Sequence, residues 1–283
     1  MMPILEEILA HKRVEVAKAK ETTPLLVLRE RVGTLGRPRN FFGAVVGHAP
    51  ENRHTTRVIA EIKRKSPSAG LIRDDFDPAT IAKQYEIAGA AAISCLTDER
   101  HFGGHLGYIQ QIRQAVSLPV LRKDFIVDDY QIWESRAAQA DAVLLIAEVL
   151  PEGQLLDCMI LAQKLGMTTL VEVHEVENLL RVQRHIGFPH AGYSLLGINN
   201  RNLRTMRTDL SHTFRLLDML EQGGVDSSVI VSESGIRSPD DLARLRRRGV
   251  NIVLVGETLM RQDDPGRALR ELLNGRADSA AHE

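Results

Sequence analysis

The chain has 283 residues, of which 43% are hydrophobic and 26% are charged, a composition typical of a globular protein with a sizeable core. Its 36 basic and 37 acidic residues leave a formal net charge of -1, which excludes a general electrostatic attraction to nucleic acid or to an anionic membrane. No segment has the apolar length of a secretory signal or a membrane span. We therefore expect a cytoplasmic protein without a nucleic-acid or membrane partner.

Two amphipathic segments come before the first predicted strand, a long one at residues 4–20 and a short one at residues 38–46. Two roles fit them equally well. They either cover one end of the domain that follows or extend towards its substrate cavity and shape it.

Eight short apolar runs, each followed by turn residues and a helix-like pattern, predict eight β-strands. They lie at 57–62, 91–97, 119–125, 142–149, 168–174, 195–200, 229–234 and 251–257. Strands that alternate with helices imply parallel crossovers, and eight units favour an α/β protein of the closed (β/α)8 type, a TIM barrel. An open doubly wound sheet is the alternative, but no G-x-G-x-x-G motif follows the first run.

The predicted organisation is one domain. Residues 1–50 are assigned to an N-terminal helical extension, residues 51–274 to the barrel and residues 275–283 to a flexible tail. The Asp-Pro and Ser-Pro pairs at Asp77 and Ser238 are typical of helix starts, with the first residue as N-cap.

Polar side chains stand near the C-terminal ends of several predicted strands, each following an apolar residue on the same face. In a barrel of this class, those ends form the active site. A structural ion pair would explain any single case, but a recurrence on five strands favours a common site. The residues are Glu61, Lys63, Lys123, Glu172, Asn199, Arg201 and Glu233.

Lysines and glutamates in a partly dehydrated cavity are suited to acid-base catalysis. We expect burial and neighbouring charges to lower the pKa of the lysines and to raise that of the glutamates. The only spacing that suggests a metal, His101 and His105, lies in a glycine loop without an adjacent carboxylate, so we predict no metal. Cys95 and Cys158 are isolated and are expected to be buried apolar residues.

A candidate anion site follows the last two strands. Ser234 and Gly235 come after the seventh strand, and Gly256 and Glu257 come after the eighth. Glycine-rich loops at these two places form the recurrent phosphate site of TIM barrels, which favours a phosphorylated small molecule as ligand. The alternative is that the glycines only permit tight turns.

The motifs "AEIKRKSPSAG", "PVLRKDFIVDDYQIWESRAAQADAVLLI", "LVEVH", "LGINNRNL", "SESGI" and "LVGETLMR" occur in that order. Together they resemble the indole-3-glycerol phosphate synthase family, from the N-terminal helix to about residue 274. The resemblance implies a TIM barrel that needs no cofactor or metal. It would convert 1-(2-carboxyphenylamino)-1-deoxyribulose 5-phosphate into indole-3-glycerol phosphate, carbon dioxide and water.

The resemblance also implies roles for the acid-base residues. Lys123 matches the general acid that protonates the ketone oxygen, and Lys63 matches a substrate-binding lysine that is a second candidate acid for dehydration. Glu172 matches the general base, and Glu61 either shares that role or holds the lysines in place.

The binding residues divide into four groups. Asn199 and Arg201 match positions on the anthranilate carboxylate side, and Glu233 with Ser234 match positions that hold the substrate, Glu233 towards the ribulose hydroxyls. Phe102 and Phe125 match apolar walls for the aromatic ring. The phosphate positions are matched by Ser66, Gly235, Gly256 and Glu257, with Lys63 nearby.

The chain departs from the family pattern at His105, which replaces a serine in the loop after the second strand. Two other functions stay open on the residues alone: a Schiff-base aldolase acting through a lysine, and a non-catalytic sugar-phosphate-binding barrel. We expect a monomer or a weak homodimer.

Overall fold

The computed structural model describes residues 4–47, 55–185, 193–202, 207–222 and 226–275. The predicted boundary between the extension and the barrel, and the predicted tail beyond residue 275, lie outside these ranges. Within them, no helix combines the length and apolarity needed to cross a bilayer.

The described residues contain a closed barrel of eight parallel strands. This confirms the predicted TIM barrel and each of the eight apolar runs. The barrel strands are β1 (Arg57–Ile62), β4 (Ala92–Leu96), β5 (Val120–Lys123), β6 (Ala142–Ile146), β7 (Thr168–Val173), β8 (Ser194–Asn199), β9 (Ile230–Glu233) and β10 (Ile252–Val255). Around the barrel they pair in the order β1-β10-β9-β8-β7-β6-β5-β4, and β4 pairs with β1.

Two short strands, β2 (Lys65–Ser66) and β3 (Gly70–Leu71), pair outside the barrel. The helices before β4 are α1 (Ile4–Thr22), α2 (Leu25–Gly33), α3 (Phe41–Val46) and α4 (Pro78–Ile87). Those between β4 and β8 are α5 (Glu99–Phe102), α6 (Tyr108–Ala115), α7 (Tyr130–Ala137), α8 (Glu152–Lys164) and α9 (Val176–Val182). After β8 come α10 (Ser211–Gln222), a 3-10 turn (Ser227–Val229), α11 (Pro239–Arg247), α12 (Glu257–Met260) and α13 (Pro265–Asn274).

The predicted helix starts are confirmed. Asp77 accepts hydrogen bonds from the backbone N–H groups of Ala79 and Thr80, and Pro78 opens α4. Ser238 caps α11 in a reciprocal capping box with Asp241, which satisfies two N–H groups that the helix itself leaves unpaired.

Alternation along the strands creates two apolar layers. Side chains such as Ile59, Leu121, Leu170 and Val231 pack inside the barrel. Their neighbours, such as Val58 and Val120, pack outwards against the helices. The charged residues predicted to follow Ile59, Leu121, Leu170 and Val231 on the inner face therefore reach the open end of the barrel.

The N-terminal segments lie at both ends of the barrel, so both predicted roles apply to different helices. In α3, Phe41 and Val45 join the inner core, and the preceding Arg39 donates to backbone carbonyls just before β5 and to Asp141 just before β6. That end is the bottom of the barrel. Helix α1 lies at the top, because its Lys12 pairs with carboxylates that follow β4 and β5.

Strand β1 ends at Ile62, as predicted. The chain then turns into the β2–β3 hairpin, and the Lys65 ammonium donates to the carbonyl of Arg100 at 2.8 Å. Glu61 and Lys63 share the inner face.

Candidate active site

A cavity at the C-terminal end of the barrel is lined by every residue that the sequence analysis assigns to acid-base catalysis, substrate binding or phosphate binding. It holds about 1150 Å³ of empty space, part of which opens to solvent. The predicted residues on its wall are Glu61, Lys63, Ser66, Phe102, Lys123, Phe125, Glu172, Asn199, Arg201, Glu233, Ser234, Gly235, Gly256 and Glu257. The site is thus formed by residues distant in sequence that parallel strands bring to one edge.

Lys123 lies at the centre of the charged group. Its Nζ atom is 3.2 Å from a carboxylate oxygen of Glu172 on β7 and 3.2 Å from one of Glu233 on β9. Asn199 lies on β8, between those two strands, and its side chain helps to lower the pKa of Glu172. Three neighbouring strands therefore hold the two carboxylates around one ammonium.

A second ammonium-carboxylate pair lies on β1 and the residues after it. The Lys63 Nζ atom donates to Glu61 Oε1 at 2.7 Å, and both side chains are largely buried. The cavity thus holds two lysines against three glutamates, an excess of one negative charge before the histidines are considered.

The pKa values differ from those expected. Burial alone would lower the pKa of Lys123, but Glu172, Glu233 and Glu61 outweigh it and raise that pKa above its usual value. Burial would raise the pKa of Glu172, yet Lys123 and His174 bring it down to about 2. The pKa of Glu61 is lowered in the same way by the charges of Lys63 and Lys123. The expected directions are therefore wrong for these residues, since mixed charges stabilise one another more than burial destabilises them.

Glu233 alone follows the expected direction. Burial and the negative charge of Glu172 raise its pKa well above the usual value. The directions of these pKa shifts favour an ammonium on Lys123 and an ionised carboxylate on Glu172, and they make Glu233 the carboxyl of the cluster that most readily takes a proton.

Two glycines make room for these carboxylates. A Cβ atom on Gly256 of the β10 end would collide with the carboxylate of Glu61, and one on Gly197 of β8 would collide with that of Glu233. Gly256, which the family pattern assigns to the phosphate site, therefore also leaves the space that the Glu61 carboxylate occupies.

Most of the predicted phosphate residues lie directly after the C-terminal ends of β9 and β10. Ser234 and Gly235 follow β9 with φ angles of 67° and 79°, and the first is unusual for a residue with a side chain. Arg201 pairs with Glu257 at 3.1 Å and with Ser68, so it lies beside the predicted phosphate residues. The Ser66 hydroxyl accepts from the Ala69 N–H at 3.1 Å.

The remaining wall is apolar. The rings of Phe102 and Phe125 are 6.0 Å apart between centroids, and Leu144 and Ile146 of β6 lie in the same wall. Helix α1 adds three side chains to it, those of Ile4, Leu5 and Ile8. This surface suits a planar aromatic ring.

The histidine loop needs one correction. Carboxylates do lie beside it: His101 is 3.5 Å from Asp98, and His105 is 3.6 Å from Glu99. Each histidine has a different partner. In the part of the chain that the structure describes, no cluster of three or more such side chains is placed to hold a metal. His105, the departure from the family pattern, is 58% exposed and lies off the cavity wall.

Two buried groups next to the site were missed at the sequence level. His174 lies directly behind Glu172, with its Nε2 atom 3.3 Å from Glu172 Oε1. Continued alternation from Leu170 through Glu172 places it on the same face, so the signal was present. Lys12 of α1 is 1% exposed and bridges Asp98 and Asp124. Nothing local marks it, because a lysine in an amphipathic helix is usually solvated.

Comparison with known proteins agrees with this geometry. The family model described as indole-3-glycerol phosphate synthase matches residues 5–272. Proteins of that name from Rhodopirellula baltica and Laribacter hongkongensis are each 47% identical over 272 residues, covering 96% of this chain and 99% of theirs. The one from Neisseria gonorrhoeae is 47% identical and is covered completely.

Solved structures share the fold at much lower identity. Tryptophan synthase subunit alpha from Legionella pneumophila aligns with a TM-score of 0.57 at 16% identity, covering 84% of this chain and 97% of that one. A 3-hexulose-6-phosphate synthase aligns with a TM-score of 0.58 at 14% identity, covering 77% and 99%. These likenesses support the barrel alone. The match to the family model and the relatives at 47% identity show the family. The chain belongs to the indole-3-glycerol phosphate synthase family, the decarboxylating lyases of tryptophan biosynthesis.

Proposed function

We propose that the cavity closes the indole ring of indole-3-glycerol phosphate, with Lys123 as general acid and Glu172 as general base. The observation that carries this proposal is the contact of one buried ammonium with two carboxylates, 3.2 Å from each, beside an apolar wall. An acid and a base in fixed positions around one small volume are what a metal-free ring closure requires.

The reaction begins at the substrate's ketone. The anthranilate ring carbon that carries the carboxylate attacks the ketone carbon, and the Lys123 ammonium gives a proton to the ketone oxygen. Carbon dioxide then leaves, and its bonding electrons restore the aromatic ring. The rest state of Lys123 supports this role, because carboxylates keep its pKa high and the side chain therefore carries the proton that it must donate.

Dehydration completes the reaction. The new hydroxyl accepts a second proton and leaves as water, and a carbon-bound proton passes to a base, which gives the indole. Two protons are delivered and one is removed, so one net proton comes from solvent. Glu172, ionised at rest, suits the base, while Lys63 is the candidate for the second acid.

The aromatic ring and the phosphate at the two ends of the substrate contact different walls of the cavity, and these contacts orient it. The aromatic ring lies against Phe102 and Phe125, and the phosphate lies near Ser66, Gly235, Gly256 and Glu257. Asn199, Glu233 and Ser234 hold the groups between them. Arg201 lies towards the phosphate side through Ser68 and Glu257, so we assign it to that side in place of the anthranilate carboxylate.

The charge state of Lys123 also separates this reaction from a Schiff-base aldolase. A Schiff base needs a neutral amine to attack the ketone, and the surrounding carboxylates favour the ammonium. Borohydride added during turnover is expected to trap no substrate on Lys123 or Lys63. A covalent adduct on either lysine would favour the aldolase.

The direct test is an assay of the purified chain with 1-(2-carboxyphenylamino)-1-deoxyribulose 5-phosphate. We expect indole fluorescence to grow with time, together with release of carbon dioxide. Binding of the substrate without fluorescence growth would instead identify a non-catalytic sugar-phosphate-binding barrel.

A further inference from the structure

We propose that His174, held by Glu148, is a positioning residue for Glu172 that fixes the orientation of its carboxylate and keeps a positive charge beside it. This inference rests on the proposed role of Glu172 as general base. His174 and Glu148 lie behind the cavity wall, so they act on the reaction through Glu172 and do not touch the substrate.

The barrel register brings the three side chains together. Ile146 of β6 pairs with Glu172 of β7. Glu148 and His174 each follow two residues later, beyond the ends of these two strands. Because alternation repeats every two residues, the same inner edge carries Glu172 and then His174, with Glu148 opposite.

Glu148 holds His174 at two points. Its Oε1 atom accepts the backbone N–H of His174 at 2.7 Å, and its Oε2 atom lies 3.2 Å from Nδ1 of the ring. The other ring nitrogen, Nε2, points to Glu172 Oε1 at 3.3 Å. Nε2 is buried and has no well-aligned hydrogen bond among the described residues. A buried imidazole fixed on one side, with its free nitrogen towards the reacting carboxylate, is built to serve that carboxylate.

The charges around the ring favour its protonated form. Glu148 and Glu172 face it from the two strand ends, Lys123 lies across Glu172, and His212 of α10 interacts with the His174 backbone. Burial alone would lower the pKa of His174, but the two carboxylates outweigh it and raise that pKa. As an imidazolium, the ring carries one N–H for each carboxylate, which leaves Glu172 with a fixed orientation and a favoured negative charge.

The test compares His174→Leu, which removes the N–H groups and the charge, with His174→Gln, which keeps a neutral donor. We expect kcat to fall about 10- to 100-fold in His174→Leu and less in His174→Gln. KM should stay within about twofold, because the ring is off the cavity wall. Losing the cation raises the pKa of Glu172, so the acid limb of the kcat/KM profile should move to higher pH in both variants.

Glu148→Gln is expected to act in the same direction with a smaller effect, since it frees the ring without removing it. The matched control is His185→Gln. His185 pairs with Glu152 at 3.0 Å outside the cavity, and its loss should leave kcat and the pH profile unchanged. Circular dichroism and thermal unfolding identify any variant that fails to fold. In that case His174→Gln and Glu148→Gln carry the comparison.

Folded His174 variants with wild-type kcat and an unmoved acid limb would overturn the proposal, as would a rise in KM at constant kcat. Glu172→Gln separates this failure from that of the proposed function. If Glu172→Gln is inactive while His174→Leu behaves as wild type, only the positioning role fails. If Glu172→Gln turns over normally, the base assignment fails, and the positioning role fails with it.

Discussion

Two buried charge clusters lie back to back at the end of β5, and they differ in how well their charges are matched. Lys123 faces the cavity, where two lysines meet three glutamates. The next residue, Asp124, has a buried side chain that joins a cluster with Lys12, Arg122 and Asp98. That second cluster has two positive and two negative buried side chains, with the partly buried Glu134 at its edge 2.8 Å from Arg122, and it ties α1 to the barrel.

The pKa values reflect this difference. Burial would raise the pKa of Asp124, but Arg122 and Lys12 lower it to about 2, and the Thr97 hydroxyl donates a further hydrogen bond at 2.6 Å. Glu233 in the cavity keeps a raised pKa and one buried oxygen without a hydrogen-bond partner among the described residues. A matched cluster stabilises the fold, whereas an unmatched one stays available to a substrate.

The largest expected effect is on the cavity cluster. Lys123→Ala should lower kcat about 10³- to 10⁴-fold while the far-UV circular dichroism stays that of the wild type. Lys123→Arg keeps the positive charge but cannot give up its proton, so it should be nearly as inactive. The indole fluorescence assay measures both. Wild-type rates in Lys123→Ala would refute the acid assignment.

Removing a charge from the matched cluster should lower the free energy of unfolding. Lys12→Met leaves Asp98 and Asp124 without their buried cation, and we expect a loss of about 3–5 kcal/mol in the free energy of unfolding. Lys20→Met on the same helix is the control, because Lys20 pairs with Asp128 at a site where the lysine is 46% exposed. That change should cost less than about 1 kcal/mol. Equal losses in urea unfolding of the two variants would contradict the comparison.

In the cavity cluster, neighbouring glycines leave the room that the carboxylates occupy. Gly256→Ala should push the Glu61 carboxylate out of position and lower kcat/KM about 100-fold. Gly153→Ala provides the control, since a Cβ at that helical position meets nothing within 4 Å. Activity is measured by indole fluorescence, and an active Gly256→Ala would mean that Glu61 can move without consequence.

Acid should unfold the protein partly through Asp124. A carboxylate whose pKa is about 2 in the folded protein, against an ordinary value of 3.8, stabilises the fold fully well above pH 3.8 and loses that contribution as the pH falls towards 2. The loss amounts to about 2 kcal/mol. Asp124→Asn should flatten this part of the pH dependence of urea unfolding. An unchanged slope would assign acid unfolding to other groups.

The smallest expected effect is a gain in stability. Glu233→Gln replaces a carboxyl with a raised pKa by a neutral amide of the same shape. Because a raised carboxyl pKa costs stability as the pH rises above the unfolded value, this variant should be about 1 kcal/mol more stable at pH 7. Thermal unfolding measures it, alongside a reduced kcat. A variant less stable than the wild type would show that the charge of Glu233 is balanced by its partners and stabilises the fold.

Most of the barrel was predictable because its signals are local. Apolar runs such as 168–174 repeat with helices between them, and proline and aspartate mark helix starts such as that at Asp77. The cavity residues followed from alternation, since Leu170 and Glu172 must share a face. The charge states did not follow, because the pKa of Lys123 depends on glutamates 49 and 110 residues away.

The amino-acid sequence by itself determined the eight strand-helix units, the residues at their C-terminal ends and, through its motifs, the family. The tertiary structure alone decided which charges are matched. It places Lys12 of the first helix between Asp98 and Asp124, and it places His174 between Glu148 and Glu172. These partners meet only when the barrel closes and α1 docks on it, and electrostatic energy depends on distance and burial, which residue order does not specify.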